Sequence, residues 1–190
     1  MRVHVIDNGG QWTHKEWRVL KSLGAETRII PNTTPFSEIG EVDGLVLSGG
    51  APRVGLDANA MGRNGEYLEK AEVPILGICA GHQFMALFFG GDAKPATVPE
   101  FGKARITVAE DGDLFTGLPR ELEVWESHND EVTRLPPGFV ALAANENCAV
   151  QAMRSMTRPL YGLQFHPEVE HTQHGSDIFR NFLGVCEKWR

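Results

Sequence analysis

Along the first ninety positions, short and nearly unbroken apolar runs alternate with segments of helical spacing. Residues 2–6 are mostly β-branched and close on Asp7-Asn8-Gly9-Gly10, which predicts a strand and a turn. In residues 12–23, Trp17, Leu20 and Leu23 recur at helical spacing before Gly24, so a helix is predicted there. Residues 27–30 and 44–47 predict two further strands, the second running into Ser48-Gly49-Gly50. Residues 63–71 predict a helix, 75–78 a fourth strand, and 81–89 a helix ended by Gly90-Gly91. Strands that are apolar throughout, rather than alternating, belong to a parallel sheet covered on both faces.

From residue 92 to about 150 the pattern changes to short alternating segments, 104–108, 122–125 and 139–143, separated by Asp-Gly, Leu-Pro and Pro-Pro-Gly turns. They predict an antiparallel extension. Residues 160–165 again predict a buried strand, and Ile178, Phe179, Phe182, Leu183, Cys186 and Trp189 form the apolar stripe of a last helix. The expected fold is α/β: a mostly parallel, doubly wound, flavodoxin-like sheet flanked by helices, with a small antiparallel extension. Its 190 residues suit a single domain over 1–190.

Composition narrows the function classes. A formal charge of −7 argues against a nucleic-acid partner. Cys79, Cys148 and Cys186 are an odd number without a C-x-x-C pair, which points to a reducing, cytoplasmic setting and no structural zinc. The first apolar run is too short for a signal peptide, and no stretch has membrane length, so no membrane partner is expected.

Chemistry gathers at predicted strand ends, where open α/β sheets place their sites. Gly77 and Gly81 stand two residues to either side of Cys79, the G-x-C-x-G form of a nucleophile elbow. A thiol at the start of a helix feels the positive end of the dipole, which favours the thiolate. Cys148 and Cys186 lack such surroundings and read as small apolar residues. His166-Pro167-Glu168 follows the strand at 160–165 and supplies a base with its orienting carboxylate. Proline disfavours the helical region for His166, so the tripeptide is expected to be extended, with His166 and Glu168 on one side. The Gly49 and Gly50 amides, with that of Ala80, suit an oxyanion or a close ligand. Ser-Gly-Gly also begins a pyrophosphatase phosphate loop, but here it continues Ala51-Pro52-Arg53 rather than Asp-Ser, which excludes a nucleotide loop. His166, Glu168, Glu170, His171 and His174 match no standard zinc interval, so no metal is expected.

Ser48-Gly49-Gly50, Gly-Ile-Cys79-Ala-Gly-His-Gln83 and His166-Pro167-Glu168, in this order across nearly the whole chain, resemble the class I (triad) glutamine amidotransferases. The resemblance implies a glutaminase in which Cys79 attacks the glutamine amide, His166 moves protons and Glu168 orients His166. It implies an oxyanion hole at Gly50 and Ala80, and glutamine contacts from Gly49, Gly50 and Gln83. Asp7-x-Gly9-x-Gln11, Gly102-Lys103-Ala104-Arg105 and residues 127–132 resemble one branch, the glutaminase subunits of archaeal-type, two-subunit GMP synthetases. That branch implies further glutamine contacts at Ser127, His128 and Asn129, and Arg53, His128 and Asp130 as partner contacts. The implied partner is an ATP-pyrophosphatase subunit that takes ammonia to aminate xanthosine monophosphate, with ATP and Mg acting there and no cofactor in this chain. The loops around 53–65 and 127–131 are the expected docking face. Ala51 departs from the proline that much of the family carries directly after Gly-Gly. Two alternatives stay open: a glutaminase of another synthase, such as anthranilate or aminodeoxychorismate synthase, and a flavodoxin-like binding module without catalysis.

Overall fold

The computed structural model describes all 190 residues and places nine strands in one sheet. In chain order the elements are β1 (Val3–Asn8), α1 (Thr13–Ser22), β2 (Ile29–Pro31), α2 (Phe36–Ile39), β3 (Gly44–Gly50), α3 (Asn64–Lys70), β4 (Ile75–Ile78) and α4 (Ala80–Phe88). They continue with β5 (Asp92–Val108), β6 (Glu121–Arg134), β7 (Phe139–Ala144), β8 (Ala152–Ser155), β9 (Leu160–Leu163) and α5 (Gly175–Trp189). The sheet order is β2-β1-β3-β4-β9-β8-β7-β5-β6.

Pairing is parallel from β2 through β9 and antiparallel from β9 through β6. Alternate side chains of the parallel strands enter two separate cores. Val3, Val5, Val46, Leu76 and Ile78 pack with Leu20 of α1 and with Ile178, Phe179, Phe182 and Cys186 of α5. Ile6, Leu45, Leu47 and Ile75 face the other way, against Tyr67 and Leu68 of α3 and Met85 and Ala86 of α4. Burying both faces is what makes these strands read as continuous apolar runs.

The expected small extension is instead half of a mixed sheet. The segments 104–108 and 122–125 are parts of a long hairpin, in which the 17-residue β5 pairs with the 14-residue β6. Pro95, Pro99 and Gly102 interrupt the β-forming pattern of β5, and the register shifts between Pro95 and Glu100. A bulge absorbs those residues without ending the strand. β8 and the single-turn α2 were not predicted; each is only four residues long.

Candidate active site

Cys79 joins β4 to α4 with φ 47° and ψ −103°, a conformation forbidden to most side-chain-bearing residues. Tight packing imposes it. A Cβ on Gly77 would stand 2.7 Å from the Gly81 backbone, and one on Gly81 would overlap the Leu47 carbonyl. The Cys79 N–H bonds the Leu163 carbonyl at 2.7 Å, and its own carbonyl accepts the Gln83 N–H at 2.9 Å, so the elbow is tied to β9 and to the helix. Its side chain is left at the floor of a cleft of about 310 Å³ that Gly49, Gly50, Ser127, His166 and Glu168 also line.

The His166 Nδ1 lies 2.7 Å from Glu168 Oε1, which leaves Nε2 for the sulfur. The expected extended tripeptide is not what brings them together. His166 to Val169 form a turn, closed by the Val169 N–H on the His166 carbonyl, with Pro167 at the position where its fixed φ suits a turn. The turn curls Glu168 back onto the imidazole. The Trp125 carbonyl accepts the His166 N–H at 3.0 Å, the Thr172 hydroxyl donates to the His166 carbonyl at 2.7 Å, and the Trp12 ring stands edge-on to the imidazole at 4.5 Å. Burial alone would lower the His166 pKa, but the Glu168 carboxylate and the neighbouring Cys79 outweigh it and hold the imidazole well above its ordinary value. Burial raises the Cys186 thiol to about 12 and the Cys148 thiol as well, which leaves both inert.

Of the predicted amide donors, Gly50 and Ala80 share a second pocket with Cys79 and Gln83. Gly49 differs: its N–H is taken by Glu16 Oε1 at 3.3 Å. Gln83 is buried, with its amide nitrogen bonding the Asp130 carbonyl at 2.6 Å and Gln164 Oε1 at 3.2 Å.

Residues 127–130, expected in a loop, lie on β6. Its inward register carries Leu122 and Val124 and then continues as Glu126, His128 and Asp130. Ser127 presents its carbonyl to the Cys79 sulfur at 3.9 Å, and Asn129 is exposed at the cleft. His128 turns away from the surface. Its side chain is 1% exposed, so the expected partner contact by His128 does not stand, because the strand's inward register buries the ring. Nδ1 faces the Asp130 carbonyl at 3.1 Å, and Nε2 faces Glu100 at 3.2 Å and Glu126 at 3.3 Å. Burial works against the charge on His128, but these two carboxylates prevail and push its pKa to about 10. Asp130 is held by Arg53 through two hydrogen bonds, Nε to Oδ2 at 3.0 Å and Nη2 to Oδ1 at 2.5 Å, with the guanidinium half exposed. His171 and His174 do not converge with His166: one stacks on Trp125 and the other bonds Asp177.

Sequence reasoning missed Glu16, Trp12, Gln164, Glu100 and Glu126. Glu16 had a signal, since a carboxylate at a helix position three and four residues from Thr13 and Leu20 shares their buried face.

The profile of the family described as "Glutamine amidotransferase class-I" matches residues 4–186. The chain belongs to the class I glutamine amidotransferase family. Among curated relatives, the smaller component named for glutamine hydrolysis in the GMP synthase of Thermoplasma acidophilum is 52% identical over 190 residues, covering 100% of this chain and 95% of that one. The proteins of the same name from Thermoplasma volcanium (99% and 93% covered) and Archaeoglobus fulgidus (99% and 100%) are 48% and 44% identical. A crystal structure of a T. acidophilum protein described as a GMP synthase component superposes with a TM-score of 0.96 at 52% identity, covering 100% of this chain and 96% of that one. A glutamine amidotransferase from Thermotoga maritima shares the fold, with a TM-score of 0.74 at 20% identity and 99% and 83% covered.

Proposed function

We infer that the chain is the glutamine-hydrolysing component of a two-subunit GMP synthase and that Cys79, His166 and Glu168 are its catalytic triad. The observation that carries the triad is the strained Cys79 elbow opening on a cleft shared with an imidazole already bonded to a carboxylate. The Cys79 thiolate attacks the side-chain carbonyl carbon of glutamine. The oxygen of the tetrahedral intermediate takes its negative charge towards the amides of Gly50 and Ala80. His166, as imidazolium, gives its Nε2 proton to the leaving nitrogen, and ammonia departs as the C–N bond breaks. His166 then takes a proton from water, whose oxygen attacks the γ-glutamyl thioester. The C–S bond breaks, releasing glutamate and returning the proton to the His166–Cys79 pair. The α-ammonium and α-carboxylate of free glutamine complement Asp130 and Arg53, which pair with each other beside Gln83 and Ala80.

The branch reading rests on the names of the relatives and on their identity over the whole chain. Under it, one amidotransferase domain spans 1–190 in the cytoplasm. No cofactor works in this chain, and a separate ATP-pyrophosphatase subunit, with ATP and Mg, aminates xanthosine monophosphate with the ammonia. Arg53 is the partner-facing residue at the pocket rim. The test is co-purification with that subunit, followed by a glutaminase assay with and without ATP and xanthosine monophosphate. Glutamine hydrolysis is expected to rise when all three are present; indifference to them would assign the glutaminase to another synthase.

A further inference from the structure

Glu16 is a buried carboxyl at the active site to which the triad gives no task. It sits on the inner face of α1 between Thr13 and Leu20, is 1% exposed, and lines the cleft together with Cys79, His166 and Glu168. Its Oε1 accepts the Gly49 N–H, and its Oε2 meets no partner. Glu168 repeats the arrangement: Oε1 is bonded to His166 and Oε2 meets no partner. Two such carboxyls, each with one oxygen engaged and one free, resist simultaneous ionisation when buried in one cleft. A single proton between the free oxygens satisfies both.

We propose that Glu16 works in its neutral, protonated form as a positioning residue for the triad. Its Oε1 holds the Gly49 N–H, and the hydroxyl on Oε2 donates to the free oxygen of Glu168. The charged groups acting on Glu16 are Glu168 and His166 from the turn after β9 and Asp7 from β1, with no lysine or arginine among them. Burial first, and the Glu168 carboxylate second, hold the Glu16 carboxyl well above the ordinary carboxylate range.

Two consequences follow for the glutaminase chemistry, on whose reading this inference rests. Occupying the Gly49 amide fixes the Ser48-Gly49-Gly50 turn, so that the Gly50 N–H and not that of Gly49 is left for the oxyanion. Keeping Glu16 uncharged leaves a single negative charge behind His166. A second carboxylate there would stabilise the imidazolium further, and His166 would release its proton less readily before it has to accept one from water.

The test compares Glu16→Leu with Glu16→Gln in the complex with the synthetase subunit, measuring kcat and KM for glutamine against pH. Glu16→Leu loses both bonds; kcat is expected to fall roughly 10- to 100-fold, with KM changed far less. The rising limb of its kcat–pH profile is expected to move to higher pH, because Glu168 then faces His166 with its full charge. Glu16→Gln, whose amide supplies the same acceptor and a donor, is expected to rescue kcat to within about threefold of wild type and to restore the limb. A Gln variant as damaged as the Leu variant, or a Leu variant with wild-type kcat and profile, would overturn the proposal. An infrared spectrum of the wild-type protein is expected to show a protonated-carboxyl band that Glu16→Gln removes; the absence of that band refutes the proposal even if the Leu variant does not fold. Lack of any glutaminase activity in the wild-type complex would refute the functional reading instead, and the band would still decide the state of Glu16.

Discussion

The two halves of the sheet, which meet at β9, bury polar groups in opposite ways. In the parallel half the strand bodies are apolar on both faces, and chemistry stands at their carboxyl ends, at Asn8, Ser48 and Cys79. There the helix start and the close-packed glycines supply polarity from the backbone, so little charge need be buried. In the antiparallel half the polar groups lie along the body of β6, where Glu126, His128 and Asp130 continue the inward row begun by Leu122 and Val124. They are compensated by one another, by Glu100 and by Arg53. The first arrangement places a nucleophile; the second holds the wall opposite it.

Cutting each half separately sharpens the contrast. In the parallel half, Cys79→Ala is expected to lower glutamine hydrolysis about 10⁴-fold or more while the melting temperature hardly changes, because the methyl group fits where the sulfur was. An equal loss of activity and stability would erase the distinction between the halves. In the antiparallel half the order reverses. His128→Ala leaves Glu100 and Glu126 buried without their shared cation and is expected to cost about 3–5 kcal/mol of stability, measured by denaturant unfolding. Gly81→Ala pushes a methyl group into the Leu47 carbonyl and is expected to cost about 1–3 kcal/mol and to displace Cys79, visible as slower alkylation of that thiol.

The smallest effect is a pH dependence with opposite signs at two buried histidines. His128, raised to about 10, is favoured as the cation in the folded state; its contribution is complete below the ordinary histidine pKa of about 6.5 and is lost as pH rises through 10. His82, lowered to about 3 chiefly by burial, is neutral in the fold. Its contribution is present above about 6.5 and is lost as pH falls towards 3. Unfolding free energy measured across pH is therefore expected to fall on both sides, with the alkaline fall abolished in a His128→Asn variant and the acid fall kept.

The parallel half was the legible half. Its strands announce themselves by unbroken apolar runs, and Gly77-x-Cys79-x-Gly81 carries in five residues the steric reason for the elbow. The triad was legible too, although the expected extended His166-Pro167-Glu168 is a turn that reaches the same contact by a different backbone path. The hairpin was not, because Pro95, Pro99 and Gly102 mimic a loop and because Glu126, His128 and Asp130 break the apolar alternation that marks an inward strand face.

By itself, then, the order of residues determined which strands are buried on both faces, where the nucleophile stands and which base can serve it, since each of these depends on neighbours within a few positions. Tertiary structure decided what depends on distant segments meeting. Asp130 comes to Arg53 across 77 positions, Gly49 gives its amide to Glu16 across 33, and His128 is sealed between two carboxylates instead of reaching the surface. Whether a polar side chain is solvated or buried, and so which proton it keeps, is settled by the packing around it, which no local pattern of residues encodes.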